Sequence, residues 1–331
     1  MARKRGNKWQ GDAKIGSKRL RRSFDSEREA LAWELQMQAA DDNGLTPAQA
    51  EAEGTLGGFL EAHFETLWGD SKSVRHMAVM RGVIIKELGA ETLLSEITDR
   101  RISTFVSSLK RGGNANGTIN RKLSFLSKLL KYAHRLQVIP KVPTIDKLRE
   151  SKGRTRFLSR DEEATVLGTL KAWGLDVTHD LIAFLLYTGC RRGEALKLTW
   201  GDVANNRVSF WDTKSGGSRT IPLVGPSKDA VDARLNAAEG RSVHPKGKVF
   251  DITEGQLEGH WSRLRAHMGM DDDPQFVLHM LRHTCASRMV QGGVDLRRVQ
   301  QWMGHESITT TLRYAHLAPK DLDIAAAALV A

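Results

Sequence analysis

The sequence predicts a mainly α-helical protein with small β elements, organised as two or three domains. Three observations carry this. Apolar residues recur at helical spacing through Thr55 to Leu136 and through most of the chain after Leu223. Two stretches, Met1 to Phe24 and Arg207 to Leu223, instead alternate in the manner of short strands around glycine turns. Pro140 and Pro143, followed by the basic segment Lys147 to Arg156, interrupt the helical pattern once. A chain of 331 residues is long enough for more than one real core.

In chain order, Met1 to Phe24 reads as short basic strands, as in Ala13-Lys14-Ile15-Gly16-Ser17-Lys18-Arg19-Leu20. Ser26-Glu27-Arg28-Glu29 is a capping box opening a helix to about Ala40, with Leu31 and Leu35 on one side. Asp41 to Gly54 is acidic and alanine-rich and reads as a linker with some helical character. Residues 1–54 thus form a basic unit with helix and linker. Residues 55–145 then carry four helical patterns. In the fourth, Thr118 to Leu136, Ile119, Leu123, Leu126, Leu130 and Ala133 share one face, and Arg121, Lys128, Lys131 and Arg135 share the other. That basic face suits phosphate contacts, although a merely solvated face has the same pattern.

The third region spans 154–331. Ser159-Arg160-Asp161-Glu162 is a further capping box. Thr178 to Thr188 reads as a buried helix ending at Gly189, and Arg191 to Leu198 as a helix with Arg191 near its start. Arg207 to Asp212 and Arg219 to Leu223 form a hairpin around Lys214-Ser215-Gly216-Gly217. The segment Val277 to Gln291 is helical, and Asp321 to Ala331 is a small apolar tail that needs a surface to dock on.

Net charge is +11, unevenly spread. Nine cations (Arg3, Lys4, Arg5, Lys8, Lys14, Lys18, Arg19, Arg21 and Arg22) face one carboxylate, Asp12, in the first 22 residues. Such an arm fits a polyanionic partner, nucleic acid above all. Cys190 and Cys285 form no CxxC pair, which argues against a disulfide framework or a zinc module. The longest apolar run, Leu181 to Tyr187, is too short for a membrane span, and the charged N-terminus is unlike a signal peptide. The expectation is an intracellular protein with no membrane partner.

The chemistry concentrates between His279 and Tyr314. His279 and Arg282 lie three residues apart and project from one helix face, pairing a proton carrier with a fixed cation. His279 and His283, four apart, have zinc-like spacing, but Arg282 between them repels a dication and no HExxH glutamate follows, so no metal site is expected. His305 follows Gly304, and Tyr314 comes nine residues later.

Joined to Thr188-Gly189-Cys190-Arg191-Arg192-Gly193-Glu194 and to Lys214, this set resembles the tyrosine recombinase family, and the basic arm resembles that of lambda-type phage integrases. The resemblance covers about Phe157 to Tyr314 with its motifs in order. It implies an α+β catalytic domain, a helical core-binding domain before it, and an arm-binding unit at the N-terminus. It implies a catalytic set of Arg191, Lys214, His279, Arg282, His305 and the nucleophile Tyr314, with Glu194 supporting. Arg3, Lys4, Arg5, Lys14, Lys18, Arg19, Arg21, Arg22, Arg121, Lys128, Lys131 and Arg135 are the expected DNA contacts.

The reaction implied is cleavage to a 3′-phosphotyrosyl bond and rejoining to a partner strand, without cofactor. Guanidiniums at 191 and 282 clamp the nonbridging oxygens. A phenol with a reference pKa near ~10 needs a base, for which His279 is the candidate, and Lys214 protonates the leaving 5′ oxygen. The implied partners are double-stranded DNA at core and arm sites, a homotetramer on that DNA, a DNA-bending host factor and an excisionase. A type IB topoisomerase-like enzyme would use a similar set. A non-enzymatic DNA-binding regulator leaves Tyr314 and Lys214 unexplained.

Deleting Met1 to Arg22 is expected to weaken binding to accessory DNA sites and to flatten its dependence on salt, because several phosphate-neutralising cations are lost. Fluorescence anisotropy titrations across a salt series check this, with cleavage of a minimal core site expected to persist.

Overall fold

The computed structural model describes residues 2–71, 73–150, 156–211, 217–238 and 244–319. Lys214 and the tail Asp321 to Ala331 lie outside the described residues. The chain divides into two compact units, Met1–Lys152 and Gly153–Ala331.

The first unit opens with β1 (Arg3–Arg5), β2 (Lys8–Ile15) and β3 (Lys18–Phe24), an antiparallel sheet in sequence order. Its two-residue side-chain period sorts the residues. Trp9, Gly11, Ala13 and Ile15 lie on one face with Leu20 and Phe24 as cross-strand partners; Arg3, Arg5, Lys14, Arg19 and Arg21 lie on the other. Across the first face runs α1 (Glu27–Asp42), opened by the expected Ser26–Glu29 capping box. Trp33 of α1 packs so closely that a Cβ on Gly11 would stand 2.8 Å from its ring.

The buried stripe of α1 includes Ala30, Trp33, Met37 and Ala40, and the side shared by Leu31 and Leu35, 41% and 55% exposed, is not the one that packs on the sheet. The helix turns its bulky Trp33 and Met37 to the sheet, and Leu31 and Leu35 fall about 100° away. The expected linker contains a full helix, α2 (Pro47–Glu53), with its own Thr46–Gln49 capping box; Ala50 is buried in the Trp33–Met37 cluster.

Next come α3 (Leu56–Trp68), α4 (Val74–Leu88), α5 (Asp99–Arg111) and α6 (Asn116–Arg135), which share one core that includes Phe59, Ile84, Phe105, Ile119, Leu123 and Leu126. On α6 the two faces separate as the periodicity predicts, with Arg121, Lys128, Lys131 and Arg135 all exposed. Lys128 is nevertheless engaged: its ammonium lies 5.4 Å from the Trp68 ring centre and donates to the Leu67 carbonyl. A carbonyl near the end of α3 has no intrahelical donor, and this lysine supplies one. Arg135 stacks on Tyr132, 4.6 Å from the ring centre.

The second unit comprises α7 (Arg160–Ala172), α8 (Asp176–Thr188), α9 (Arg192–Lys197), β4 (Val203–Ala204), β5 (Arg207–Phe210), β6 (Arg219–Pro222), α10 (Pro226–Asn236), α11 (Glu254–His267), α12 (His279–Gln291), α13 (Leu296–Met303) and α14 (Ile308–Leu312). Strands β4, β5 and β6 form an antiparallel sheet. Because α8 is apolar on every side from Leu181 to Leu186, it is the buried axis of this unit. Helices α7, α10 and α12 pack around it. Among the described residues, no helix is long and apolar enough to cross a membrane.

α8 stops at Gly189, whose φ of +63° is left-handed and whose absent Cβ would stand 2.8 Å from Met303 Sδ and 2.9 Å from Cys285 Sγ. Gly189→Ala is therefore expected to destabilise the fold by about 1–3 kcal/mol or more, combining backbone strain with overpacking. Thermal melting checks this against Gly193→Ala, which has open space at its Cβ and is expected to melt close to wild type.

Candidate active site

The site is assembled by one buried arginine. Arg282, in the first turn of α12, is 4% exposed and donates from Nη1 to the Gly189 carbonyl and from Nη2 to the Met303 carbonyl, both at 2.5 Å. Gly189 precedes Arg191 by two residues, and Met303 precedes His305 by two. One planar guanidinium thus ties the end of α8 to the end of α13 and brings together two motifs more than a hundred residues apart.

Arg191 caps α9. Its backbone N–H donates to Glu194 Oε2 and its Nη1 to Glu194 Oε1, each at 2.9 Å. Glu194 also receives Arg219, from the start of β6, at 2.7 Å. Arg219 is itself buried: its Nε donates to the Trp302 carbonyl and its guanidinium lies 4.4 Å from the Phe210 ring centre. It also fills the space beneath Gly304, where a Cβ would stand 2.9 Å from it. Sequence reasoning passed Arg219 over, because a strand arginine carries no local sign of a partner 25 residues away.

His305 sits in the turn after α13, where left-handed Gly304 ends the helix. Its backbone N–H donates to the Gln300 carbonyl, and its Nδ1 lies 2.9 Å from the Thr311 hydroxyl, which is fully buried. Burial first, then the charges of Arg282 and Arg191, push the imidazole down to about 3, so it is neutral at physiological pH. When Thr311 donates to Nδ1, Nε2 carries the proton and can donate to a ligand oxygen. Thr311 too was missed from sequence.

Tyr314 is 4% exposed, and its hydroxyl lies 2.5 Å from Nδ1 of His283. Burial raises the phenol pKa, against the opposing pull of Arg313 and Arg282. The sequence expectation put His279 in the role of base. In the structure His279 is exposed and meets His283 edge-to-face at 5.0 Å between ring centres, while His283 is buried and touches the phenol. The i, i+4 spacing had drawn attention to His283 only as a metal ligand, and no sequence signal ranked it as Tyr314's partner.

The electrostatics are those of an anion site. Burial, followed by the like charges of Arg191 and Arg219, lowers Arg282 to about 10, still protonated at neutral pH. Burial disfavours the charged form of Glu194, but Arg219 and Arg191 outweigh it and the carboxyl is lowered. Three guanidiniums around one carboxylate leave an excess of positive charge that an approaching anion relieves. Cys190 and Cys285 are held by burial at about 12, as neutral thiols. Beside the cluster opens a cleft of about 830 Å³, lined by Arg191, Arg192, Trp261, Arg265, His279 and Arg282 among others. Lys214, the remaining expected member, lies outside the described residues.

The arm cations Arg3, Lys4, Arg5, Lys14, Lys18, Arg19, Arg21 and Arg22 are all exposed. Arg19 is held bidentately by Asp12, at 2.8 and 2.6 Å, with Arg21 alongside at 3.4 Å. These contacts hold Asp12 at about 2.

The pattern of the phage integrase family matches residues 156–321. The chain is 27% identical to the integrase of Escherichia phage P2 over 314 residues, which cover 92% of this chain and 86% of that one. It is 32% identical to a putative integrase of Pseudomonas phage Pf1 over 208 residues, 62% of this chain but only 59% of the relative. In fold it resembles the Tn1549 transposon integrase bound to transposon right end DNA, with a TM-score of 0.69 at 18% identity, covering 83% of this chain and 98% of that one. It also resembles a lambda integrase dimer bound to a COC′ core site, with a TM-score of 0.65 at 17% identity, covering 97% and 95%.

Because the folded His305 pKa lies below its unfolded value, the unfolded chain takes up a proton first on acidification. This contribution to stability is intact above about pH 6.5 and is lost as pH falls from there towards 3. Histidine-selective NMR is expected to show the His305 ring neutral down to pH 5, and Thr311→Val is expected to disturb its tautomer without unfolding the protein.

Proposed function

Because the chain belongs to the phage integrase family, we propose that it is a site-specific DNA recombinase, breaking and rejoining strands through a 3′-phosphotyrosyl intermediate to integrate and excise phage or mobile-element DNA. The observation that carries this reading is the grouping of Arg191, His305 and Tyr314 around Arg282, with excess positive charge beside a buried phenol. In this reading Arg191 and Arg282 neutralise the nonbridging oxygens of the scissile phosphate, and neutral His305 donates a further hydrogen bond from Nε2. Tyr314 attacks phosphorus. Lys214 protonates the departing 5′ oxygen, and Glu194 holds Arg191 in line through the pairing described above.

Unit by unit, the division of labour is as follows. Residues 154–331 carry the catalytic chemistry. Residues 55–145 grip the core site through the basic face of α6, where Arg121, Lys131 and Arg135 are available and Lys128 must leave Leu67 to take part. Residues 1–54 place the outer face of the small sheet against accessory DNA. The working assembly is a homotetramer on DNA inside the host cell. A lambda integrase tetramer bound to a Holliday junction, similar in fold with a TM-score of 0.66, lends support. A DNA-bending host protein and an excisionase complete the set of partners.

Tyr314→Phe is expected to abolish covalent attachment to a nicked core-site substrate while leaving binding nearly intact. Arg191→Ala is expected to slow adduct formation by about a hundredfold or more, since transition-state charge loses a clamp. Denaturing gels of protein–DNA adducts beside gel-shift titrations test both, and a persistent adduct in the Phe variant moves the nucleophile elsewhere.

A further inference from the structure

The geometry points to His283 as the group that takes the Tyr314 proton during strand cleavage, a role that rests on the recombinase reading above. The hydroxyl and Nδ1 are 2.5 Å apart, and both residues are more than nine-tenths buried, so water does not compete for either atom. With the O–H donating to Nδ1, the ring holds its own proton on Nε2 and the Nδ1 lone pair accepts from the phenol. His283 follows Arg282 on α12, so base and phosphate clamp ride on one rigid helix and keep their relative placement when DNA arrives.

The neighbours leave few other acceptors. Arg282 and Arg313 face Tyr314 but are cations, and Cys285 is a neutral thiol at about 12. His279, one turn earlier and exposed, meets His283 rather than standing between it and the phenol. Burial also makes the phenol a weaker acid, which increases its need for an acceptor already in contact.

The Tyr314 O–H bond breaks and its proton passes to His283 Nδ1, while the phenolic oxygen bonds to phosphorus. The bond from phosphorus to the 5′ oxygen breaks, and that oxygen takes a proton from Lys214. Rejoining reverses each transfer.

The test is single-turnover adduct formation by the full chain on a nicked core-site DNA, comparing wild type, His283→Asn and His283→Ala. Asparagine still offers an acceptor to the hydroxyl but takes up no proton, so it separates orientation from base catalysis. The inference expects both variants to bind DNA normally and to cleave about a hundredfold more slowly or worse. It also expects the rate of the Asn variant to climb with pH through the alkaline range where wild type is flat, because solvent hydroxide then replaces the missing base. Melting curves report folding, and His283→Gln is the second probe should Asn melt early. If Asn restores the wild-type rate, His283 only orients the hydroxyl and the inference is wrong. It is equally wrong if either variant cleaves faster, since the hydrogen bond would then be holding the nucleophile in reserve. A wild-type protein that forms no adduct sinks the recombinase reading instead.

Discussion

The site depends on the two hydrogen bonds that Arg282 gives to backbone carbonyls at residues 189 and 303. Each joins a charged donor to a helix-end carbonyl that has no intrahelical partner, in a region closed to water. Remove the guanidinium and two buried carbonyls are orphaned at the same moment as the site loses a cation. The surrounding residues fit this arrangement. Gly189 and Gly304 take left-handed φ so that their chains can turn beside it, and small side chains let the helices approach closely. An arginine committed to structure in this way also holds its charge in a fixed place.

A second layer of electrostatics stands behind the first. Among the described residues, Glu194 is the carboxylate that stands among these three guanidiniums, and it distributes its oxygens between Arg191 and Arg219. Arg219 passes the restraint on to the Trp302 carbonyl and to Phe210, linking the base of the hairpin to the His305 turn. Strand β6, which begins at Arg219, is therefore rooted in the same network as Arg191 and Arg282. Burial first, and then repulsion among the cations, lowers Arg282 and His305, and an anion placed beside them would relieve the repulsive part.

The N-terminal unit uses charge differently. The arm cations are exposed; Arg19 and Arg21 are paired with Asp12, and Lys8 with Asp25. Exposed pairs of this kind contribute little to stability and are screened by salt. Their consequence is orientation: the sheet's two-residue period sends Arg3, Arg5, Lys14, Arg19 and Arg21 outward while Trp33 and Met37 hold the inner face, at whose margin Lys4, Lys18 and Arg22 stand.

By itself the sequence determined what local periodicity and short-range chemistry encode. The capping boxes at Ser26 and Ser159, the two faces of α6, the buried character of α8 and the strand nature of the arm all follow from spacing within a turn or a pleat. The motif residues were legible because their spacing is itself a chemical statement: His279 with Arg282, Gly304 with His305, Arg191 with Glu194. Only the tertiary structure decided which of two histidines one turn apart meets Tyr314, why Arg219 matters, and which way α1 turns. Leu31 and Leu35 have the same helical spacing as Trp33 and Met37, and the choice between the stripes was made by the sheet that packs on them. His283 and Arg219 owe their places to contacts 31 and 25 residues distant in the chain. Periodicity carries no information about such pairs, because they exist only once separate helices have closed around a common core.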